Sequence, residues 1–286
     1  MFDLIVANYN NEKFLNVFFE SIERSTILPY QVIFVDDCST DNSLDIVYKF
    51  INKNSIKILL IKNIKNIGFA KSLNIALENI SSLYFARLDP DDFVKPKRFE
   101  IQLNFLKANT HFDMIGTNII YVLNGIEKNV SNVETNVISI KNKIIDGYLP
   151  LIHGSIMGKS IILEDFKYNA NLVPAEDYDL FAYLIKNNFC ITNIKEPLTF
   201  VNIHENSVSN DLLFSTINKR YDTCHKYFNV SKNRTLRYIE YKHQYYYRKY
   251  LFIYSSVRYW YLIIASLLNP TKVVKKLISK IKKRKL

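Results

Sequence analysis

Apolar and polar positions run in two alternating rhythms through the first hundred residues. FDLIVA (2–7) has the length and character of a buried strand, after which Phe14, Leu15, Phe18, Phe19 and Ile22 recur at helical spacing. QVIFV (31–35) is a second strand and stops abruptly at DDCSTDNS, where Ser39 or Thr40 is expected to cap a helix whose apolar face is Leu44, Val47, Phe50 and Ile51. IKILLI (56–61) reads as a third strand, followed by a helix with Phe69, Leu73, Ala76, Leu77 and Ile80 on one face. LYFARL (83–88) is the fourth strand, and Pro96 suits the first turn of a helix through Phe99, Leu103 and Leu106.

Strands alternating with helices predict a doubly wound α/β sheet covered on both faces. In such sheets ligands bind beyond the carboxyl ends of the strands. That rule locates a site in ANYN (7–10), DDCST (36–40) and DPDD (89–92), each directly after a strand. The Gly-rich fingerprint of a dinucleotide site is absent from the first turn, which excludes an ordinary Rossmann cofactor domain.

From 112 to 203 the pattern is mixed. Asn124-Gly125 between two β-rich runs signals a hairpin. AEDYDLFAYLIKNN (175–188) reads as an amphipathic helix with carboxylates at its start, and PLTFVNIH (197–204) as a strand. No Ser/Gly/Pro linker occurs before about residue 205, so residues 1–210 are expected to form one domain and 211–286 a basic helical region.

Charge sharpens that division. Residues 1–218 hold 20 Lys/Arg against 25 Asp/Glu, a net −5, whereas 219–286 hold 18 against 2, a net +16. The second region also carries 11 of the 20 tyrosines. Basic residues among aromatics suit nucleic acid or an anionic membrane surface. The end of the chain favours the membrane: Asn269 can cap a helix with Pro270 in its first turn, and Val273, Val274, Leu277, Ile278 and Ile281 form an apolar stripe flanked by lysines. No stretch reaches about 18 uninterrupted apolar residues; 251–268 is broken by Ser255, Ser256 and Arg258. Three scattered cysteines and an N-terminus without a basic leader point to a reducing compartment. The expected location is therefore cytoplasmic, peripheral on the inner face of the membrane, with no nucleic-acid partner.

ARLDPDD (86–92) places three mutually repelling carboxylates at the end of a buried strand. A solvated turn is the plain reading; a cation site is the sharper one, because hard divalent ions need clustered oxygen ligands.

Taken in order, VANYN, VDDCSTDNS, KNIGFAKSLN (65–74), ARLDPDD, HGSIMGKS (153–160), EDYDLF (176–181) and HENSVS (204–209) resemble the inverting family 2 of nucleotide-sugar glycosyltransferases over about residues 2–210. The resemblance implies a GT-A fold, a nucleotide-sugar donor such as a UDP-sugar, a saccharide or lipid-linked acceptor in surface polysaccharide or lipopolysaccharide assembly, and a divalent metal, Mn²⁺ or Mg²⁺. Asp91, in the Asp89-Pro90-Asp91 element, matches the metal-binding residue and Asp89 the one near ribose and sugar; His204 matches a metal or phosphate contact. Tyr9 and Asp37 match positions around the base, and Asn66 and Lys71 lie in a segment passing near the nucleotide. Asp177 matches the general base, while Glu176 and His153 are acceptor-side residues. Two departures stand out: Asn202 occupies a position where relatives often carry Arg, and Gly154 follows His153 where Pro is more usual. The competing readings are a sugar nucleotidyltransferase, whose Gly-rich basic loop after the first strand is missing, and a non-enzymatic polyanion-binding protein.

Overall fold

β1 (Phe2–Asn8) is buried at every position, which a strand achieves only when helices cover both faces of its sheet. The computed structural model describes residues 1–53, 56–204, 214–252 and 257–269, and the chain divides into two compact units, Met1–Ser207 and Val208–Leu286.

In the first unit α1 (Glu12–Glu23) buries Leu15, Phe18, Phe19 and Ile22 at the spacing read from the sequence. β2 (Gln31–Asp36) lies parallel to β1, with Asn8 opposite Asp36, and α2 (Ser43–Lys53) packs beside α1, where Phe19 and Phe50 stack with centroids 4.2 Å apart. β3 (Ile58–Lys62) pairs with β2 on its outer side. α3 (Phe69–Glu78) crosses β1 and β2 and buries Ala70, Leu73 and Ala76. β4 (Tyr84–Arg87) returns to the other side of β1. β1 thus sits between β2 and β4, and the strand order reverses there, creating the crevice in which α/β sheets hold ligands.

Two helix starts differ from expectation. α2 begins at Ser43 and is opened by Asp41, whose carboxylate accepts from the Ser43 and Glu12 amides at 3.0 and 2.9 Å; Ser39 instead turns back to Asp36. After the two-residue β5 (Phe93–Val94), α4 (Arg98–Ala108) starts two residues beyond Pro96, whose carbonyl accepts the Thr26 amide at 2.9 Å.

Beyond residue 112 the sheet becomes mixed. β6 (Met114–Leu123) and β7 (Ile126–Val130) form the expected hairpin, with Asn124 and Gly125 at φ 51° and 74°. α5 (Val137–Ile145), which no sequence signal had marked, is capped by Asn136, accepting from the Ser139 amide at 2.9 Å. β8 (Met157–Lys159) inserts antiparallel between β4 and β6. Gly158 permits that approach, since a methyl there would lie 2.9 Å from the Phe85 ring. α6 (Glu176–Lys186) and β9 (Ile191–Ile203) complete the unit; β9 starts six residues earlier than the sequence suggested. β9 runs parallel to β6 and then pairs antiparallel with β5, Phe93 stacking on Phe200 at 4.5 Å. The sheet order is β3-β2-β1-β4-β8-β6-β9-β5, with β7 beside β6.

The second unit is helical: α7 (Phe214–Phe228), α8 (Arg234–Phe252) and α9 (Arg258–Leu268). Ile217 and Tyr221 of α7 pack with Tyr241 of α8, and His243 Nδ1 donates to the Ala265 carbonyl at 3.0 Å, tying α8 to α9. No described helix is long and apolar enough to cross a membrane. The amphipathic helix expected at 270–286 lies outside the described residues.

Candidate active site

The ends of β1 and β2 are stitched together by short polar side chains. Asn8 Nδ2 donates to Asp36 Oδ1 at 2.8 Å and to Ser39 Oγ at 3.2 Å. Asn10 adopts φ 56°, a conformation that Asn tolerates, and its Oδ1 accepts the Thr40 amide at 2.8 Å. Between them Tyr9 stands 47% exposed at the rim, available to a flat ligand.

Asp37 is buried and does more structural work than its assignment to the base suggested. Its carboxylate accepts from Asn63 Nδ2 at 2.8 Å, the Ile67 amide at 2.9 Å and the Gly68 amide at 2.7 Å. A carboxylate has about four acceptor positions, so one remains for a ligand. These bonds pin the loop that carries exposed Asn66 and leads to exposed Lys71 in the first turn of α3. Phe69, at the start of that turn, faces the Arg87 guanidinium 5.3 Å away.

Arg87, the last residue of β4, is buried and grips Asp89 with both Nη atoms, the Nη1–Oδ2 bond being 2.9 Å. Asp89, Asp91 and Asp92 bring one oxygen each to within 4.8 Å of one another. Burial and then the Asp91 charge push Asp89 above the usual carboxylate range despite Arg87, and burial with the Asp91 and Asp89 charges raises Asp92 further. The backbone of Gly154 lies over this cluster: a Cβ there would sit 3.1 Å from Asp89 Oδ2 and 3.5 Å from Asp92 Oδ2, so the glycine leaves the acids open on that side.

Beneath the cluster lies Arg98, fully buried, donating to the Arg87 carbonyl at 2.8 Å and to Gln102 at 3.0 Å; burial lowers it to about 9. From the far side of the sheet β9 and the residue after it deliver three more contacts. The Asn202 amide donates to Asp92 Oδ1 at 3.0 Å, its side chain donates to the Asp91 carbonyl, and His204 Nε2 lies 2.9 Å from Asp91 Oδ2 while its ring stacks on Phe14 at 4.8 Å. Asn202 clamps the acidic loop from beside it. Three carboxylates with an imidazole alongside, more negative charge than Arg87 and Arg98 compensate, form an oxygen-rich set that suits a hard divalent cation.

The other wall comes from α6 and the segment before it. Asn74 of α3 holds both backbone groups of Tyr168, at 2.8 and 2.9 Å, and Tyr168 Oη meets His153 Nε2 at 2.7 Å. Burial, then Arg87, keeps His153 far below its usual range, so the ring is neutral at pH 7 and serves as a hydrogen-bonding wall rather than a cation. Glu176 opens α6, buried, with Oε2 lacking a hydrogen-bond partner; burial and then Asp177 raise it to about 7. Asp177 is half-buried, its Oδ1 accepting the Tyr178 amide at 2.7 Å. The charges of Arg87 and Asp89 also act on Glu176, and those of Asp89 and Asp177 on Tyr168, so the two walls share one electrostatic environment.

The model of the family described as Glycosyl transferase family 2 matches residues 3–159, more than half of the chain and the part that contains the β1, β2 and β4 loops. The chain belongs to glycosyl transferase family 2. An uncharacterized glycosyltransferase of Methanocaldococcus jannaschii is 29% identical over 281 residues, covering 96% of this chain and 91% of the relative. Among solved structures, Staphylococcus aureus TarS 1–349 in complex with UDP-GlcNAc superposes with a TM-score of 0.61 at 20% identity, over 93% of this chain and 71% of TarS 1–349. The Pyrobaculum calidifontis mannosyltransferase PcManGT in complex with GDP-Man and Mn²⁺ gives 0.61 at 14% identity, over all of this chain and 80% of the other. The fold of this family 2 chain is thus the GT-A fold that the resemblance implied, on the α/β sheet that the strand–helix alternation predicted.

Sequence reasoning passed over Arg87, Arg98, Asn74 and Tyr168. Arg87 carried a visible signal, an arginine closing an otherwise apolar strand immediately before the acids; the other three have no local signature.

Proposed function

We propose that this glycosyltransferase is a metal-dependent, inverting enzyme that moves a sugar from a nucleoside diphosphate, most simply UDP, to a hydroxyl of a saccharide or lipid-linked saccharide in surface polysaccharide or lipopolysaccharide assembly. The observation that carries this reading is the clustering of Asp89, Asp91 and Asp92 at the sheet's reversal point, with His204 on Asp91. The TarS structure with UDP-GlcNAc and the PcManGT structure with GDP-Man and Mn²⁺ support the donor class and the metal.

Tyr9 and the remaining acceptor position of Asp37 receive the base, while Asn66 and Lys71 border the nucleotide and Lys71 offers a point charge to the diphosphate. Asp91 and His204, with Asp89 and Asp92 beside them, hold the divalent ion, which supplies charge neutralisation for the departing diphosphate. Asp89, oriented by Arg87, faces ribose and sugar. Asp177 takes the proton from the acceptor hydroxyl as its oxygen bonds to the anomeric carbon and the carbon–oxygen bond to the diphosphate breaks on the opposite face. The start of α6, where the Tyr178 amide donates to Asp177 Oδ1, favours a carboxylate at this position. Glu176 and the His153–Tyr168 pair position the acceptor. The 211–286 region is the attachment to an anionic membrane surface at the cytoplasmic face, with the basic tail at 270–286 as one contact.

The test is a thermal-shift and turnover screen of UDP-GlcNAc, UDP-glucose, UDP-galactose and GDP-mannose, with Mn²⁺ or with EDTA. At a ligand concentration ~100 times Kd, binding stabilises by about 2.7 kcal/mol, which reads directly as a raised melting temperature. At least one donor is expected to stabilise the protein only with metal, and Asp91→Asn to lower turnover by about two orders of magnitude or more while keeping the fold. Undiminished turnover by Asp91→Asn, or donor binding indifferent to EDTA, rejects the metal site.

A further inference from the structure

We infer that α9 carries a second, aromatic membrane contact, in which Trp260, Ile263 and Leu267 enter the interface of an anionic bilayer. It rests on the membrane attachment proposed above for 211–286 and names a surface in it distinct from the 270–286 tail, independent of which donor or acceptor the enzyme uses. α9 reads RYWYLIIASLL, apolar or aromatic on nearly every side with Arg258 and Ser266 as its exceptions, yet Ala265 is its one fully buried residue. A helix apolar on all sides is ordinarily covered on all sides. Here Trp260 is 67%, Ile263 50% and Leu267 79% exposed, with Tyr259 beside them at 52%. At 3.6 residues per turn, positions 260, 263 and 267 fall within an arc of about 60°, so they form one face rather than a scatter. The side that is satisfied faces α8, where Ala265 receives the His243 bond.

Charge selects the occupant. Residues 234–269 contain six basic residues and one acid, Glu240, which is buried and accepts from Gln244 Nε2 at 2.7 Å. The cations lie along tyrosine rings, Arg258 over Tyr259 at 5.0 Å and Lys249 over Tyr245 and Tyr261 at 4.8 and 5.4 Å, rather than across the exposed apolar face. An apolar strip edged by Tyr, Trp and basic residues with almost no exposed acid matches the layering of headgroups over acyl chains. α9 spans only about 16 Å, against roughly 30 Å of hydrocarbon, so it lies in the interface and does not cross. A nucleic acid would call for cations facing outward beside the rings, whereas the centre of this face is aliphatic. A second copy is a poorer occupant, because four partly exposed side chains supply on the order of 500 Å², below the ~800 Å² per partner of a stable interface.

Trp260 is the sole tryptophan, so its emission reports on this face alone. With the full chain, vesicles of phosphatidylcholine containing about 30 mol% phosphatidylglycerol are expected to shift Trp260 emission to shorter wavelength, shield it from acrylamide and expose it to brominated acyl chains, and pure phosphatidylcholine to do so far less. Ile263→Ser/Leu267→Ser, both at exposed positions, is expected to weaken partition by about tenfold or more with an unchanged circular dichroism spectrum. If that variant misfolds, the quenching of the unmodified chain decides by itself. Vesicle-bound protein whose Trp260 stays open to acrylamide overturns the inference and leaves the tail as the contact. So does shielding that appears without lipid and grows with protein concentration, or shielding by a single-stranded RNA in place of vesicles.

Discussion

Replacing Arg87 by methionine isolates the pair on which the acidic loop is built. The Arg87 side chain is 4% exposed and that of Asp89 29%, and both Nη atoms are engaged with the carboxylate. Arg87 Nε has no hydrogen-bond partner, so the variant forfeits this pair, the guanidinium's contact with Phe69 and the positive charge that also acts on Asp92 and Glu176. What remains is a carboxylate already pushed above its usual range by burial and Asp91, now without its nearest cation. Breaking a buried pair by removing one partner costs about 3–5 kcal/mol, and because water reaches part of Asp89 the lower end, about 3 kcal/mol, is expected. Arg87→Lys keeps the charge but loses the two-pronged geometry, and should cost about 1–2 kcal/mol. Arg87→Met/Asp89→Asn removes the abandoned charge and should recover about half of the single variant's loss. Urea unfolding followed by far-UV circular dichroism measures all three. A loss below about 1 kcal/mol for Arg87→Met, or a double variant no more stable than the single one, would show that the pair does not hold the loop.

Asp177→Asn should lower kcat by about 10² to 10⁴ with donor affinity within about twofold of the parent, because the amide cannot accept the acceptor's proton yet fills the same space; equal losses in donor binding and turnover would move Asp177 to the donor side. Glu176 makes stability depend on pH with a definite sign. Its folded-state value of about 7 lies above the ordinary 4.5, so the stability it confers as the protonated form is complete below pH 4.5 and disappears as pH rises through about 7. At 1.36 kcal/mol per pH unit the swing approaches about 3 kcal/mol, and Glu176→Gln should grow more stable than the parent by roughly that amount between pH 4.5 and 8. A parent–variant difference that stays flat with pH rules out the buried-acid account.

How much of this was legible follows from where each contact comes in the chain. The β1–β4 half was readable because every element there is local: Phe14, Leu15, Phe18, Phe19 and Ile22 fix one helix face, and the loops that follow the strands carry their own polar residues. The three acids were readable for the same reason, lying within four residues of one loop. The cap of α2 was misread because three candidate capping residues stand in a row, and Asp41 wins by reaching both the Ser43 and the Glu12 amides, the latter 29 positions away.

The clamp on that loop was not readable, for a geometric reason. Asn202 and His204 reach Asp91 and Asp92 across more than a hundred residues, and they arrive there only because β9 follows β6 through two irregularities near Asn118 while β5 pairs along its other edge. Side chains alternate faces along a strand, so a single residue of slip would turn His204 away from Asp91 and bring its neighbour in its place. A motif scan sees the histidine and the acids but not the register that joins them. Asn202 supplies two things at this position, a side-chain donor to the Asp91 carbonyl and a backbone amide to Asp92, and the amide is furnished by register, whatever the side chain. At the Asp92 contact, therefore, the strand position does the holding.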